Sequence, residues 1–169
     1  MEFQIGDKVV YPNQGVGIVE QISTRNLTGQ PEMFYLLKLS SNGMRVMVPL
    51  GSVANVGLRR VSKSSEIGGI LDYLQKGRPK AGQDWKGRFK ENSEKMRNGS
   101  LMQVAEVLKV LIMLNQAKPL SFREKKMLDR AWLLLVDEIA VSRGIARETV
   151  ETQLVRTFGK ANLKVPLPS

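Results

Sequence analysis

One stretch of the chain, Lys76 to Arg97, combines cations and aromatics in a way that can hold a polyanion. It carries Lys76, Arg78, Lys80, Lys86, Arg88, Lys90, Lys95 and Arg97 against Asp84, Glu91 and Glu94, a balance of 8 − 3 = +5. Trp85 and Phe89 lie inside it, four residues apart, so a helix would set both on one face. Cations neutralise phosphates and release condensed counterions. An aromatic ring can stack on a base or enter an opened base step. The same rings can anchor a helix to a core. Phe89 reads as such an anchor, Trp85 equally as anchor or probe, and Trp132, within Ala131-Trp132-Leu133-Leu134-Leu135, as core. A second cationic group, Arg123, Lys125, Lys126 and Arg130, opens a predicted long helix, where positive charge opposes the helix dipole. A solvated face is the ordinary explanation for it, and a use outside the helix is the alternative.

Little else in the sequence can do chemistry. The chain has no Cys and no His, which removes disulfides, thiolate nucleophiles and the commonest general base and metal ligand. No phosphate-binding Gly-x-x-x-x-Gly-Lys-[Ser/Thr] loop and no Gly-x-Ser-x-Gly elbow occurs. Asp and Glu are scattered beside Lys and Arg at helical spacing, as on solvated helix faces. The expectation is therefore a binding protein rather than an enzyme, with no metal and no cofactor. No apolar run reaches the length of a membrane span, and the N-terminus lacks a signal-peptide pattern, so a cytoplasmic protein is expected.

The net charge of the 169 residues is +10. Residues 1–61 contribute 6 − 4 = +2 and the remainder 20 − 12 = +8, so the excess sits in the second part. The local pattern changes at the same place. Up to about Arg60 the chain reads as five short strands: near Lys8–Tyr11, Val16–Ile22, Met33–Leu39, Met44–Val48 and Val56–Val61. Pro12-Asn13-Gln14-Gly15 and Ser40-Ser41-Asn42-Gly43 punctuate them, the latter holding a hairpin signal. This predicts a small antiparallel barrel of the SH3 or Tudor type. From Ser64 onward the apolar spacing is helical, with Asp84, Ser100 and Ser121 as N-caps and Ser121-x-x-Glu124 as a capping box. The tail Val165–Ser169 reads as frayed, and Gly77–Gln83 as a linker. The expected fold is α+β: a barrel over 1–61 followed by an all-helical basic domain over 62–169.

In Met44–Val48, Met44, Val46 and Val48 alternate with Arg45 and Met47, and if the first set faces the core, Arg45 and Met47 face outward. An outward Met near a sheet edge can serve a partner strand, or it can simply be exposed. Met33–Leu39 is apolar on both faces, so its periodicity gives no orientation. Tyr11, Phe34 and Tyr35 read as core aromatics before they read as a cage for a cation.

The chain also resembles the CarD/CdnL family of bacterial transcription regulators. The shared markers are Gly6-Asp7-Lys8-Val9-Val10-Tyr11-Pro12 with Gly15, Asn42-Gly43-Met44-Arg45-Val46-Met47-Val48-Pro49, and Val56-Gly57-Leu58-Arg59. Asp84-Trp85-x-x-Arg88-Phe89-Lys90, Val104-Ala105-Glu106-Val107-Leu108 and Leu120-Ser121-x-x-Glu124-Lys125-Lys126-Met127-Leu128 follow in order. The resemblance implies a Tudor-like module that docks on the β subunit of bacterial RNA polymerase. It implies a helical domain lying over promoter DNA at the upstream edge of the melted region, without sequence specificity. Trp85 would then wedge into the minor groove and stabilise the open complex. Arg88 and Lys90 carry over as DNA contacts, with Lys86, Lys125 and Lys126 beside them. Arg25, Leu37, Met47 and Pro49 match polymerase-contacting positions. Some relatives carry Arg at the position of Met47, and Arg45 is the nearby cation on the same predicted face. The competing reading is a general nucleic-acid-binding accessory protein, for example ribosome-associated, with no polymerase contact.

Overall fold

The computed structural model describes residues 3–26, 29–79 and 84–166. The chain divides into two compact units, Met1–Val61 and Ser62–Ser169.

The first unit is a five-stranded antiparallel sheet with the order β4-β3-β2-β1-β5. Its strands are β1 (Lys8–Tyr11), β2 (Gly15–Asn26), β3 (Pro31–Leu39), β4 (Arg45–Pro49) and β5 (Arg59–Arg60). β1 and β2 form a hairpin in which Val10 faces Val16, and β2 continues against β3 with a bulge between Val19 and Gln21. Phe3, Val9, Val19, Tyr35, Leu37, Val48 and Leu58 make the core. The Tyr35 hydroxyl accepts from the Phe3 amide at 2.9 Å, so the polar tip of a buried aromatic is satisfied and the N-terminal segment is held. Tyr35 and Phe34 are both buried, which removes them from any aromatic cage.

Two expectations for this unit need correction. Met44 is 57% exposed, not core. It belongs to the turn, where Gly43 takes φ 68° and the Asn42 side chain accepts from the Met44 amide, so the strand starts one residue later. The expected last strand, Val56–Val61, is shortened to β5 at Arg59–Arg60, because Val56 still belongs to a short helix, α1 (Val53–Val56), which follows a 3₁₀ turn at Leu50–Ser52. The chain must cross from β4 at one edge to β5 at the other. The helical turn makes that crossing, with Val53 and Val56 packed on the core and Gly57 at φ 80° ending it.

The second unit holds α2 (Ser64–Lys76), α3 (Trp85–Asn98), α4 (Leu101–Ala117), α5 (Phe122–Arg143) and α6 (Arg147–Lys160). α4 is its central element: Leu101, Val104, Ala105, Val107, Leu108, Val110, Leu111 and Ile112 are all buried. A helix apolar nearly all round requires neighbours on several sides, and α2, α3 and α5 all pack against it. Asp84, Ser100 and Ser121 each cap the following helix by accepting from the amide three residues on. Directly after the unit boundary, the Ser62 amide donates to Glu138 at 2.9 Å and the Ser142 hydroxyl donates to the Ser62 carbonyl. Val165, expected to open a frayed tail, is partly buried. Leu163 and Val165 pack on the helical core, and the Lys164 amide donates to Gln116 at 3.2 Å. Residues 167–169, and Lys80–Gln83 of the expected linker, lie outside the described residues. Among the described residues no helix is long and apolar enough to cross a membrane.

Candidate nucleic-acid and protein interfaces

α3 is the polar member of the helical unit. Among its described residues the buried polar and apolar side chains are Asn92 and Met96, and the helix packs against α4. Its backbone begins at Trp85, capped by Asp84 through a 3.1 Å bond from the Gly87 amide. The Trp85 side chain lies outside the described residues. Lys86 and Lys90 are exposed, and so is Arg97, whereas Lys95 is engaged by Glu91 at 3.7 Å and Glu106 at 3.3 Å. Phe89 is half-buried, with the Arg123 guanidinium 4.7 Å from its ring centroid.

Arg88, expected as a phosphate contact, makes a bridge to a carboxylate within the helical unit. Its Nε donates to Glu124 Oε2 at 2.9 Å and its Nη2 to Oε1 at 3.2 Å. The pair is largely sequestered, with side-chain exposures of 18% and 3%. Glu124 also takes a 3.2 Å bond from the Ser121 hydroxyl, and its carboxyl is held below the usual range, first by the Arg88 hydrogen bond. The Ser121 hydroxyl accepts from the Glu124 amide at 3.2 Å, the first half of the expected capping box, and a backbone bond from Ser121 also holds the Glu124 carboxyl down, so this carboxylate serves α3 as well as α5. Arg88 is thus tied to a carboxylate 36 residues away in the chain, a partner that its local sequence does not signal.

The bridge joins the first turns of α3 and α5. Lys86 and Lys90 lie two residues to either side of Arg88, and Lys125 and Lys126 directly follow Glu124; all four are exposed. Phe122, the first residue of α5, is 72% exposed, with Lys126 Nζ 4.9 Å from its ring centroid. The sequence reading absorbed Phe122 into the capping box. An apolar residue beginning a helix outside any apolar stripe was the available signal.

In the sheet unit, β4 is an edge strand and alternates as expected from Arg45 onward. Val48 is buried and Val46 packs on the core, while Arg45, Met47 and Pro49 share the other face. Arg45 pairs with Glu20 at 3.0 Å across exposed surface, an arrangement that leaves it able to exchange partners. Arg25 is exposed on β2, opposite Glu32 of β3. Leu37 is 0% exposed inside the core and opposite Val46, so its side chain does not form part of the surface. The residue beside Met47 is Leu36, half-buried on the outer face.

The chain thus joins a five-stranded module to a basic helical unit. Comparison with known proteins makes the class specific. The model of the CarD C-terminal domain matches residues 69–155, and that of the CarD-like/TRCF RID domain matches residues 3–62. A protein of Bacillus subtilis (strain 168) described as "Putative transcription factor YdeB" is 33% identical over 150 residues, covering 89% of this chain and 98% of that protein. Two solved structures from Myxococcus xanthus each match about a third of the chain. The N-terminal domain of CarD is 41% identical over 35% of this chain and 79% of its own, with a TM-score of 0.31. The chain described as CdnLNt is 48% identical over 36% of this chain and 86% of its own, with a TM-score of 0.32. The chain belongs to the CarD family, and membership supports a role in transcription regulation.

Proposed function

We propose that this protein is a transcription regulator that docks on the β subunit of bacterial RNA polymerase through its first unit and stabilises the promoter open complex with its second. The single observation that supports this most is the exposed cation set around the Arg88–Glu124 bridge, held at the first turn of the helix that Trp85 begins. Lys86, Lys90, Lys125 and Lys126 hold phosphates and position the domain without reading sequence. Trp85 enters the minor groove at the edge of the melted region, where unpaired DNA lowers the cost of unstacking. Arg88 acts through the position of α3 rather than on the DNA.

The docking surface is the outer face of β4 with its neighbours: Arg45, Met47 and Pro49, with Leu36 in place of the buried Leu37, and Arg25 nearby in sequence register on β2. An edge strand offers a backbone edge for strand addition, and its outward side chains set the choice of partner. DNA binding by the protein alone is then weak and salt-sensitive, and the polymerase supplies location through avidity. The test is the lifetime of open complexes on a slow-melting promoter, with and without the protein. Tight, sequence-specific binding to duplex DNA by the isolated protein would count against this account.

A further inference from the structure

We propose that Phe122, together with Lys125, Lys126 and Arg130, forms a second DNA contact that receives one unpaired nucleotide, its base on the Phe122 ring and its phosphate on the cations. This rests on the reading of the helical unit as a DNA-binding domain. An open depression of ≈ 560 Å³ is lined by Phe122, Lys125, Lys126, Asp129, Arg130 and Leu133. It has the two chemistries a nucleotide needs side by side: an aromatic and an aliphatic wall, and three cations against one acid. Phe122 is 72% exposed, so its ring is not part of the packed core. Lys126 Nζ stands 4.9 Å from the ring centroid, so a cation able to hold a phosphate lies directly beside an aromatic surface able to stack on a base.

Geometry links the depression to the proposed wedge. Arg88, three residues after Trp85, is bridged to Glu124, two residues after Phe122. The helices beginning at these two aromatics are therefore fastened together within a turn of their starts. A melted strand running from one to the other would meet an aromatic at each. Paired duplex has no base free to stack on Phe122, so the contact favours unpaired DNA.

The experiment compares binding of the full-length protein to a matched duplex and to the same duplex carrying an unpaired bubble, using wild type, Phe122→Ala, Trp85→Ala and Lys125→Ala/Lys126→Ala. Circular dichroism checks that each variant is folded, and Phe122 is exposed enough for its removal to be tolerated. The expected result is that Phe122→Ala weakens bubble binding by about five- to ten-fold, the loss of one base–aromatic stack, with duplex binding and the salt slope unchanged. The double lysine variant lowers the salt slope by about two. If Trp85→Ala weakens bubble binding and Phe122→Ala does not, the second contact is overturned while the wedge stands. If Phe122→Ala instead weakens polymerase binding and leaves DNA binding intact, Phe122 belongs to a protein surface and the proposal is wrong. If wild type binds neither DNA, the DNA-binding reading itself fails.

Discussion

Arg88 and Glu124 close a two-bond bridge, 2.9 and 3.2 Å, between the first turns of α3 and α5, with the carboxylate 3% exposed. Among the described residues of α3 only Met96 is a buried apolar residue, so this bridge has a large share in fixing the helix that Trp85 begins. Removing one partner leaves a buried charge alone. Arg88→Ala or Glu124→Ala is expected to destabilise by about 3 kcal/mol, measured by denaturant unfolding. Both variants should also shorten open-complex lifetime, although neither side chain touches DNA in this account.

The bridge also predicts an acid limb. The Glu124 carboxyl is held below its ordinary value of 4.5, first by the Arg88 hydrogen bond. Its contribution to stability is complete above that value and is lost as pH falls through the lower folded one. In wild type, stability should fall across that window, and in Glu124→Gln the fall should be smaller. Equal acid sensitivity of the two proteins would remove Glu124 as a source.

Asp137 has the opposite sign. Burial pushes its carboxyl up from 3.8, against the pull of Arg147 at 3.1 Å. An acid whose folded value is raised costs stability once pH rises above it, and nothing below the unfolded value. Asp137→Asn should therefore unfold at a higher temperature than wild type near neutral pH, and the gain should vanish as pH approaches 3.8 and below.

The helical caps were legible because they are local: Asp84, Ser100 and Ser121 each act within three residues. The change from strands to helices was legible from the apolar period. The expected α+β class holds, with five strands and then helices. What escaped was non-local or two-sided. β3 is apolar on both faces, so only its register with β4 reveals that Leu36 lies outside and Leu37 inside. Arg88 carries no local sign of Glu124. The exposed Phe122 was concealed by the capping motif that contains it.

The sheet unit yields a contrast between neighbouring residues. Leu37→Ala should cost about 3 kcal/mol by opening a cavity in the core, and any loss of polymerase binding should follow that instability. Met47→Asp should leave thermal unfolding nearly unchanged and weaken polymerase binding by at least about tenfold, through an unpaired charge placed in the contact. Pull-down of the β subunit beside a melting curve separates the two effects.

The central claim is most directly tested by open-complex lifetime on a slow-melting promoter, with RNA polymerase from a matched source and either wild-type protein or Trp85→Ala. The account predicts that wild type lengthens the lifetime and that Trp85→Ala returns it close to the value without the protein, while still binding polymerase. A lifetime unaffected by wild type, or equally lengthened by Trp85→Ala, would contradict it.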